Sequence, residues 1–146
     1  IGAGAAAFAW ILTRHQIGKN IANILINLPN DTIALFCIIG FFLLVGLFVD
    51  PLAAVTISAP ILPSIAIALG LEQLHLAMVV IMTITIGGIT PPVGVLLYMG
   101  CKIADTEPQK VMPILLPFFL ILIIAIIIVA FVPEVSLFLP RITGFL

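Results

Sequence analysis

Two groups of residues could do chemistry in this otherwise inert sequence. The first is Asp50, the lone acid between Asp31 and Glu72, followed directly by Pro51. An acid in lipid costs roughly 2.5–3.5 kcal/mol on insertion scales, so it tends to face a wet pathway for substrate or ion. The competing assignment is a turn or helix-capping carboxylate beside Pro51. The second group is Gly87-Gly88-Ile89-Thr90-Pro91-Pro92-Val93-Gly94, a break in the apolar segment from Leu74 to Ile103. Two prolines remove backbone donors and block the preceding helix, and glycines weaken it further. Such a break survives in lipid only where it is buried in protein or lines a wet cavity.

The chemistry offered by the break is electrostatic. A half-helix ending there exposes free carbonyls, which suit a hard cation such as Na+. A half-helix starting there exposes N–H groups, which suit a carboxylate. Thr90 adds a hydroxyl that can ligate a cation or donate a hydrogen bond. The alternative is a proline kink that only shapes packing. Gly46, one turn before Asp50, would bring its carbonyls close to the break.

The elements that must position these groups are membrane helices. Of 146 residues, 64% are hydrophobic and 8% charged, with mean hydropathy +1.45, whereas a soluble domain carries about 25% charged residues. The uncharged run from Val111 to Val132 exceeds the roughly 20 residues that span a bilayer. A net charge of −1 gives no reason to expect nucleic acid. Cys37 and Cys101 are read as packing residues, far apart in sequence. The chain opens inside an apolar stretch without an initiating Met and is read as a piece of a larger protein.

Along the chain, residues 1–13 form the end of a helix rich in small residues, and 14–30 an arm helix and turn. The arm has apolar positions at helical spacing and a polar face, which fits an interfacial helix or a solvent-facing connector. Residues 31–70 hold two apolar helices with no polar loop between them, interrupted at Val49-Asp50-Pro51. The preferred reading is a re-entrant hairpin with its tip near 46–51; two full spans with a minimal turn is the alternative. Residues 71–104 form a transmembrane helix broken at 87–94, and 105–146 the final span and tail. His15 and His75 are expected at the interface. Thr56, Ser58, Thr83 and Thr85 are expected to bond carbonyls within their own helices. Charge bias leaves orientation open, with Arg14, Lys19 and Arg141 on one side and Lys102 and Lys110 on the other.

Enzyme signatures are missing. An intramembrane aspartyl protease needs two carboxylates sharing a proton, and Asp50 has no intramembrane partner in this sequence. A channel would need a continuous polar-lined pore, which these spans do not offer.

The order Gly46-x-x-x-Asp50, Ala59-Pro60-Ile61-Leu62-Pro63, Gly70-Leu71-Glu72-x-x-His75 and Ile86-Gly87-Gly88-Ile89-Thr90-Pro91-Pro92-Val93-Gly94 resembles the large membrane (M) subunit of tripartite ATP-independent periplasmic (TRAP) transporters. The likeness covers nearly the whole chain and corresponds to the C-terminal part of that subunit. Thr-Pro-Pro-x-Gly is its specific element. The resemblance implies an all-α integral membrane protein, an elevator-type transporter with inverted repeats, of which this chain holds the second repeat only. It implies import of an organic acid, sialic acid or a C4-dicarboxylate, by sodium symport across the bacterial inner membrane. Its implied partners are a periplasmic substrate-binding protein, a small membrane (Q) subunit or fused equivalent, and the rest of the M subunit. Na+ would be held by Gly46, Gly87, Thr90 and Val93, mainly through backbone carbonyls, and substrate would lie near Asp50 and Thr90. Divalent anion–sodium symporters share the hairpin architecture, but they use Ser-Asn-Thr at hairpin tips, which this chain lacks.

Overall fold

In the computed structural model, which describes residues 2–91 and 93–143, the chain is helical and the described residues form no strand. Ile1, Pro92 of the expected break and residues 144–146 of the expected tail lie outside the described residues. The helices are α1 (Gly2–Arg14), α2 (Ile17–Ile26), α3 (Asp31–Phe48), α4 (Pro51–Ser58), α5 (Leu62–Ala68), α6 (Gln73–Ile89), α7 (Val95–Ile103), α8 (Pro108–Phe131) and α9 (Pro133–Ile142).

Prolines and glycines set most of these boundaries. Pro51, Pro108 and Pro133 each open a helix, where a missing N–H costs nothing. Pro60 and Pro63 divide the second half of the 31–70 segment into α4 and α5, which bend by 58° at their joint. Among the described residues two helices, α3 and α8, are long and apolar enough to cross a membrane, and α4 with α5 makes a third if the bent pair counts as one span. At 1.5 Å per residue α8 is about 36 Å long, enough for the roughly 30 Å hydrocarbon core.

The break is shorter than the 87–94 stretch expected from the sequence. Helix α6 continues through Gly87 and Gly88 to Ile89, and of the described residues between it and Val95 only Thr90, Pro91, Val93 and Gly94 lie outside a helix. Glycine lowers helix propensity but still donates its N–H, so packing can hold it in a helix. Proline cannot be accommodated. Its ring collides with the carbonyl four residues back and forces the preceding residue out of the helical region. Thr90 accordingly adopts φ −82°, ψ 131°.

The core is the seam between α3 and α6. Ala34, Ile38 and Phe42 recur every fourth residue on α3 and pack in one cluster with Leu76, Val80 and Ile84 of α6. The two helices touch along their length and meet at their C-terminal ends through Gly46 and Gly87, so they run side by side in the same direction. Helix α8 runs the other way. Met112, Leu115 and Leu116 near its start share a crevice with Ile89 and Pro91, while Phe131 at its end packs on Phe36 at 5.4 Å between ring centroids. Helix α4 packs on α1 and α6, and α5 on α2 and α6. Much of α8 remains exposed, including Ile114, Leu116, Phe118 and Ile121, as suits a face toward lipid or other membrane protein.

The Gly46–Gly87 approach is made of backbone. A Cβ on Gly46 would collide with the Ile84 carbonyl oxygen, and one on Gly87 would stand 2.6 Å from the Leu43 oxygen and 2.9 Å from the Gly46 Cα. Gly40 on the same helix has nothing within 4 Å of such a position. Gly46→Ala or Gly87→Ala should therefore destabilise the purified protein by about 1–3 kcal/mol, the usual cost of overpacking. Gly40→Ala should be neutral or stabilising by up to about 1 kcal/mol. Comparing the three thermal midpoints checks this; equal effects at all three positions would mean that the close approach is not what the glycines serve.

Candidate functional site

Four helix ends meet around Gly87 and Gly88. The α3 and α6 C-termini touch through Gly46 and Gly87. A Cβ on Gly88 would lie 3.1 Å from Pro51 Cγ, at the start of α4, and 3.1 Å from Leu96 Cδ1, in the first turn of α7. Gly94, which precedes α7, is left-handed at φ +41°, and a Cβ there would lie 2.9 Å from the Thr90 oxygen. The sequence points to a special role for Gly87; the parts played by Gly88, wedged between two helix starts, and by the left-handed Gly94 come only from the structure. The signal for Gly88 in the sequence is the doubled glycine.

Carbonyls at the two C-termini are available. The last bond of α3 runs from the Val49 N–H to the Val45 oxygen at 2.9 Å. Leu47 has no helical donor, because Pro51 carries no N–H. At the end of α6, the Thr90 N–H donates to the Gly87 oxygen at 2.9 Å. The Thr90 hydroxyl donates to the Ile86 oxygen at 2.6 Å. A carbonyl has two lone pairs, so neither bond exhausts its acceptor. The Thr90 proton, however, is committed. While that bond holds, Thr90 can ligate a cation through its lone pairs but does not donate to a carboxylate.

Asp50 is a helix cap. Its Oδ1 accepts from the Leu52 N–H at 3.0 Å and from the Ala53 N–H at 3.3 Å, and Pro51 fills the first helical position. That is the local role set beside the functional one in the sequence. The cap fills the α4 N-terminus with the protein's own carboxylate. The α7 N-terminus has no side-chain cap. Each helix end carries roughly half an elementary charge. Two C-termini and two N-termini offset one another, which leaves the Asp50 carboxylate as the net charge of the junction. Such a junction favours a cation.

The sequence-designated residues thus fall into three groups. Gly46 and Gly87 are in direct contact, and Thr90 joins them through its bonds to Gly87 and Ile86. Asp50 stands one residue before the Pro51 ring that abuts Gly88. Val93 lines a shallow depression with Val95, Tyr98, Met99 and Lys102, a lining that includes neither Gly46 nor Gly87. A cavity of about 710 Å³ lies elsewhere, between the α4–α5 bend and the start of α6, and it takes in none of these residues. Among the described residues no three His, Cys, Asp or Glu side chains are placed to hold a metal. A cation at the junction would rest on carbonyl oxygens, with Thr90 Oγ1.

The hydroxyls of α4 and α6 are internally satisfied. Thr56, Ser58, Thr83 and Thr85 each donate to the carbonyl four residues earlier, at 2.6–2.8 Å. Cys101 is buried and Cys37 exposed, both free. His75 is covered by the protein itself: it is 1% exposed, because the α8–α9 elbow folds over the start of α6 and its Nδ1 meets Ser136 Oγ at 2.7 Å.

A family model, the DctM component of tripartite ATP-independent periplasmic transporters, matches residues 1–135. The chain belongs to this family. It is 31% identical to the sialic acid TRAP transporter large permease protein SiaM of Vibrio cholerae, over 94% of this chain and 33% of that protein. It is 35% identical to the C4-dicarboxylate TRAP transporter large permease protein DctM of Pseudomonas aeruginosa, over 97% of this chain and 34% of that protein. The isethionate TRAP transporter permease protein DctMQ of Oleidesulfovibrio alaskensis is 30% identical over 92% of this chain. The chain spans about a third of the length of the first two relatives. No solved structure matches it. DctM proteins are membrane-embedded permeases rather than enzymes, and the apolar helices of this chain agree with that.

The cap geometry gives a direct test. Asp50→Ala should lower stability by about 0.5–2 kcal/mol, whereas Asp50→Asn, an equally good N-cap, should cost little. Denaturation of the two variants side by side measures the difference. Equal losses would remove the cap as the reason for a polar residue there.

Proposed function

We propose that this chain is the C-terminal part of the large subunit of a TRAP transporter that imports an organic acid by Na+ symport. The observation that carries the reading is the junction where the α3 and α6 C-termini meet at Gly46 and Gly87, in a chain that belongs to the DctM family. Na+ is co-transported and sits against backbone carbonyls at Gly46 and Gly87, with Thr90 Oγ1 as a side-chain ligand and the Val93 carbonyl completing the shell. The carboxylate substrate lies on the side of Asp50 and Thr90. Asp50 keeps its capping bonds, and its charge offsets that of the ion. The uncapped α7 N-terminus is oriented to favour the anion.

The substrate is sialic acid or a C4-dicarboxylate, in keeping with the names of the relatives. The chain works as the second of two inverted repeats in an elevator-type carrier of the bacterial inner membrane, with 31–70 as its re-entrant hairpin. A periplasmic binding protein delivers the substrate. A small membrane (Q) subunit, separate or fused, completes the membrane part together with the rest of the large subunit. One charge crossing 100 mV supplies about 2.3 kcal/mol, so each Na+ that accompanies the acid adds that much to the drive before its own gradient is counted.

Uptake of radiolabelled sialic acid and, separately, succinate tests this. The full membrane complex is reconstituted in proteoliposomes, with and without an inward Na+ gradient and with and without the binding protein. Uptake should require both. Uptake with Na+ alone would indicate the simpler symporter class, and uptake indifferent to Na+ would end the coupling proposal. Thr90→Ala should raise the Na+ concentration for half-maximal uptake roughly tenfold, the scale of one lost polar contact to a charge. Asp50→Asn, which keeps the cap, should lower uptake without lowering stability; undiminished uptake would confine Asp50 to its local role.

A further inference from the structure

His75 is a buried histidine that the site does not use. It lies in the first turn of α6, at the end opposite Gly87, and its Nδ1 is 2.7 Å from Ser136 Oγ. Ser136 Oγ is in turn 2.9 Å from the Pro133 oxygen, at the start of α9. The other ring nitrogen, Nε2, is buried and has no partner.

Counting protons fixes the arrangement. Ser136 has one hydroxyl proton. If it goes to Pro133, His75 must donate from Nδ1, and both short contacts are hydrogen bonds with Nε2 left as a bare lone pair. If the Ser136 proton goes to Nδ1 instead, the Pro133 contact is lost as a bond. The proton on Nε2 is then a buried N–H with no acceptor, a rare condition. The imidazolium form adds a buried charge at a helix N-terminus, which is itself positive. The first arrangement makes the most bonds and carries no charge. A hydrocarbon side chain could fill the same space without stranding a ring nitrogen, so only the Nδ1 bond offsets the cost of a histidine here.

We infer that His75 is a positioning residue: as the neutral Nδ1–H tautomer it pins the start of α6 to the α8–α9 elbow and so sets where the Gly87–Thr90 end of α6 meets α3. Helix α6 is then held at both ends, by backbone contact at Gly87 and by this bond at His75. The transport readout of this inference rests on the function proposed above; the spectroscopic readout does not.

The test compares His75→Asn, whose amide N–H falls near the place of Nδ1–H, with His75→Gln, whose amide falls near Nε2, and with Ser136→Ala. All are made in the full membrane complex, and assembly is checked by size-exclusion chromatography. His75→Asn should keep the Na+ concentration for half-maximal uptake within about twofold of the parent, while Ser136→Ala and His75→Gln should raise it about two- to tenfold, the range for one buried hydrogen bond. Equal behaviour of the Asn and Gln variants would overturn the role of the bond. If the Gln variant does not assemble, Ser136→Ala, which removes a single oxygen, carries the comparison with Asn.

Independently, 15N NMR of histidine-labelled complex, with the His75 signal assigned by its loss in His75→Asn, should show Nδ1 protonated and Nε2 bare at about neutral pH. A protonated Nε2 would overturn the inference whatever the transport result. A complex without Na+-dependent uptake would defeat the proposed function alone. The ring tautomer and the thermal midpoints of the Asn and Gln variants would then still decide the latch.

Discussion

The close approach of α3 and α6 at Gly46 and Gly87 is the constraint on which the rest of the structure depends. It joins backbone to backbone, with the Leu43 and Ile84 oxygens where side chains would otherwise stand. At that distance Cα–H groups can face carbonyl oxygens, each contact contributing perhaps 0.5–1 kcal/mol. Its larger consequence is geometric. Two helices running in the same direction come together at their negative ends. Like partial charges then face each other in a setting poor in water, where an uncompensated carbonyl is costly. The seam of Ala34, Ile38, Phe42, Leu76, Val80 and Ile84 holds them there.

Two kinds of compensation are built in. Helix starts are brought to the same place, α4 through Pro51 and α7 through Leu96, both packed on Gly88. Asp50 then claims the α4 start for itself through Oδ1. The positive end that could have balanced a carbonyl is thereby spent on a side chain, and the junction regains a net negative character. This division of labour explains the Thr90 hydroxyl as well. With its proton given to Ile86, Thr90 presents only lone pairs, the same chemistry as the carbonyls around it. A junction of acceptors is suited to a cation and ill suited to a lone anion.

What could be read in the sequence was local or compositional. The membrane class follows from 8% charged residues, and the proline pair marks the break because its effect on Thr90 needs no partner. The extent of the break was overestimated, since Gly87 and Gly88 count against a helix by propensity while tertiary packing on Gly46, Pro51 and Leu96 retains them in one. Both roles for Asp50 were visible as alternatives; the cap is visible in the structure because Asp-Pro is a local device. Gly46 could be placed near the break only by spacing. The burial of His75 could not be read. Its partner Ser136 is 61 residues away, and the sequence around it, with Glu72 and Gln73 beside it, has the polarity of a membrane surface. Burial there is imposed by the α8–α9 elbow, which carries no signal in the neighbourhood of His75.

In the proposed reading, the location of specificity follows from these facts. A site made mainly of backbone carbonyls can be tuned by exchanging a ligand only at Thr90, because every other residue offers the same oxygen. Selectivity must then come from the spacing of the oxygens, and that spacing is set by how α3 and α6 lie against each other. Apart from Thr90, the side chains that decide it are therefore remote from the ion. They are the i, i+4 rows of the seam, whose volumes fix the interaxial distance in a close-packed interior, and the glycines that allow contact. Identity at Val93 is of little consequence on this view. A one-carbon change at Gly46, or a slackened anchor at the far end of α6, moves the carbonyls themselves.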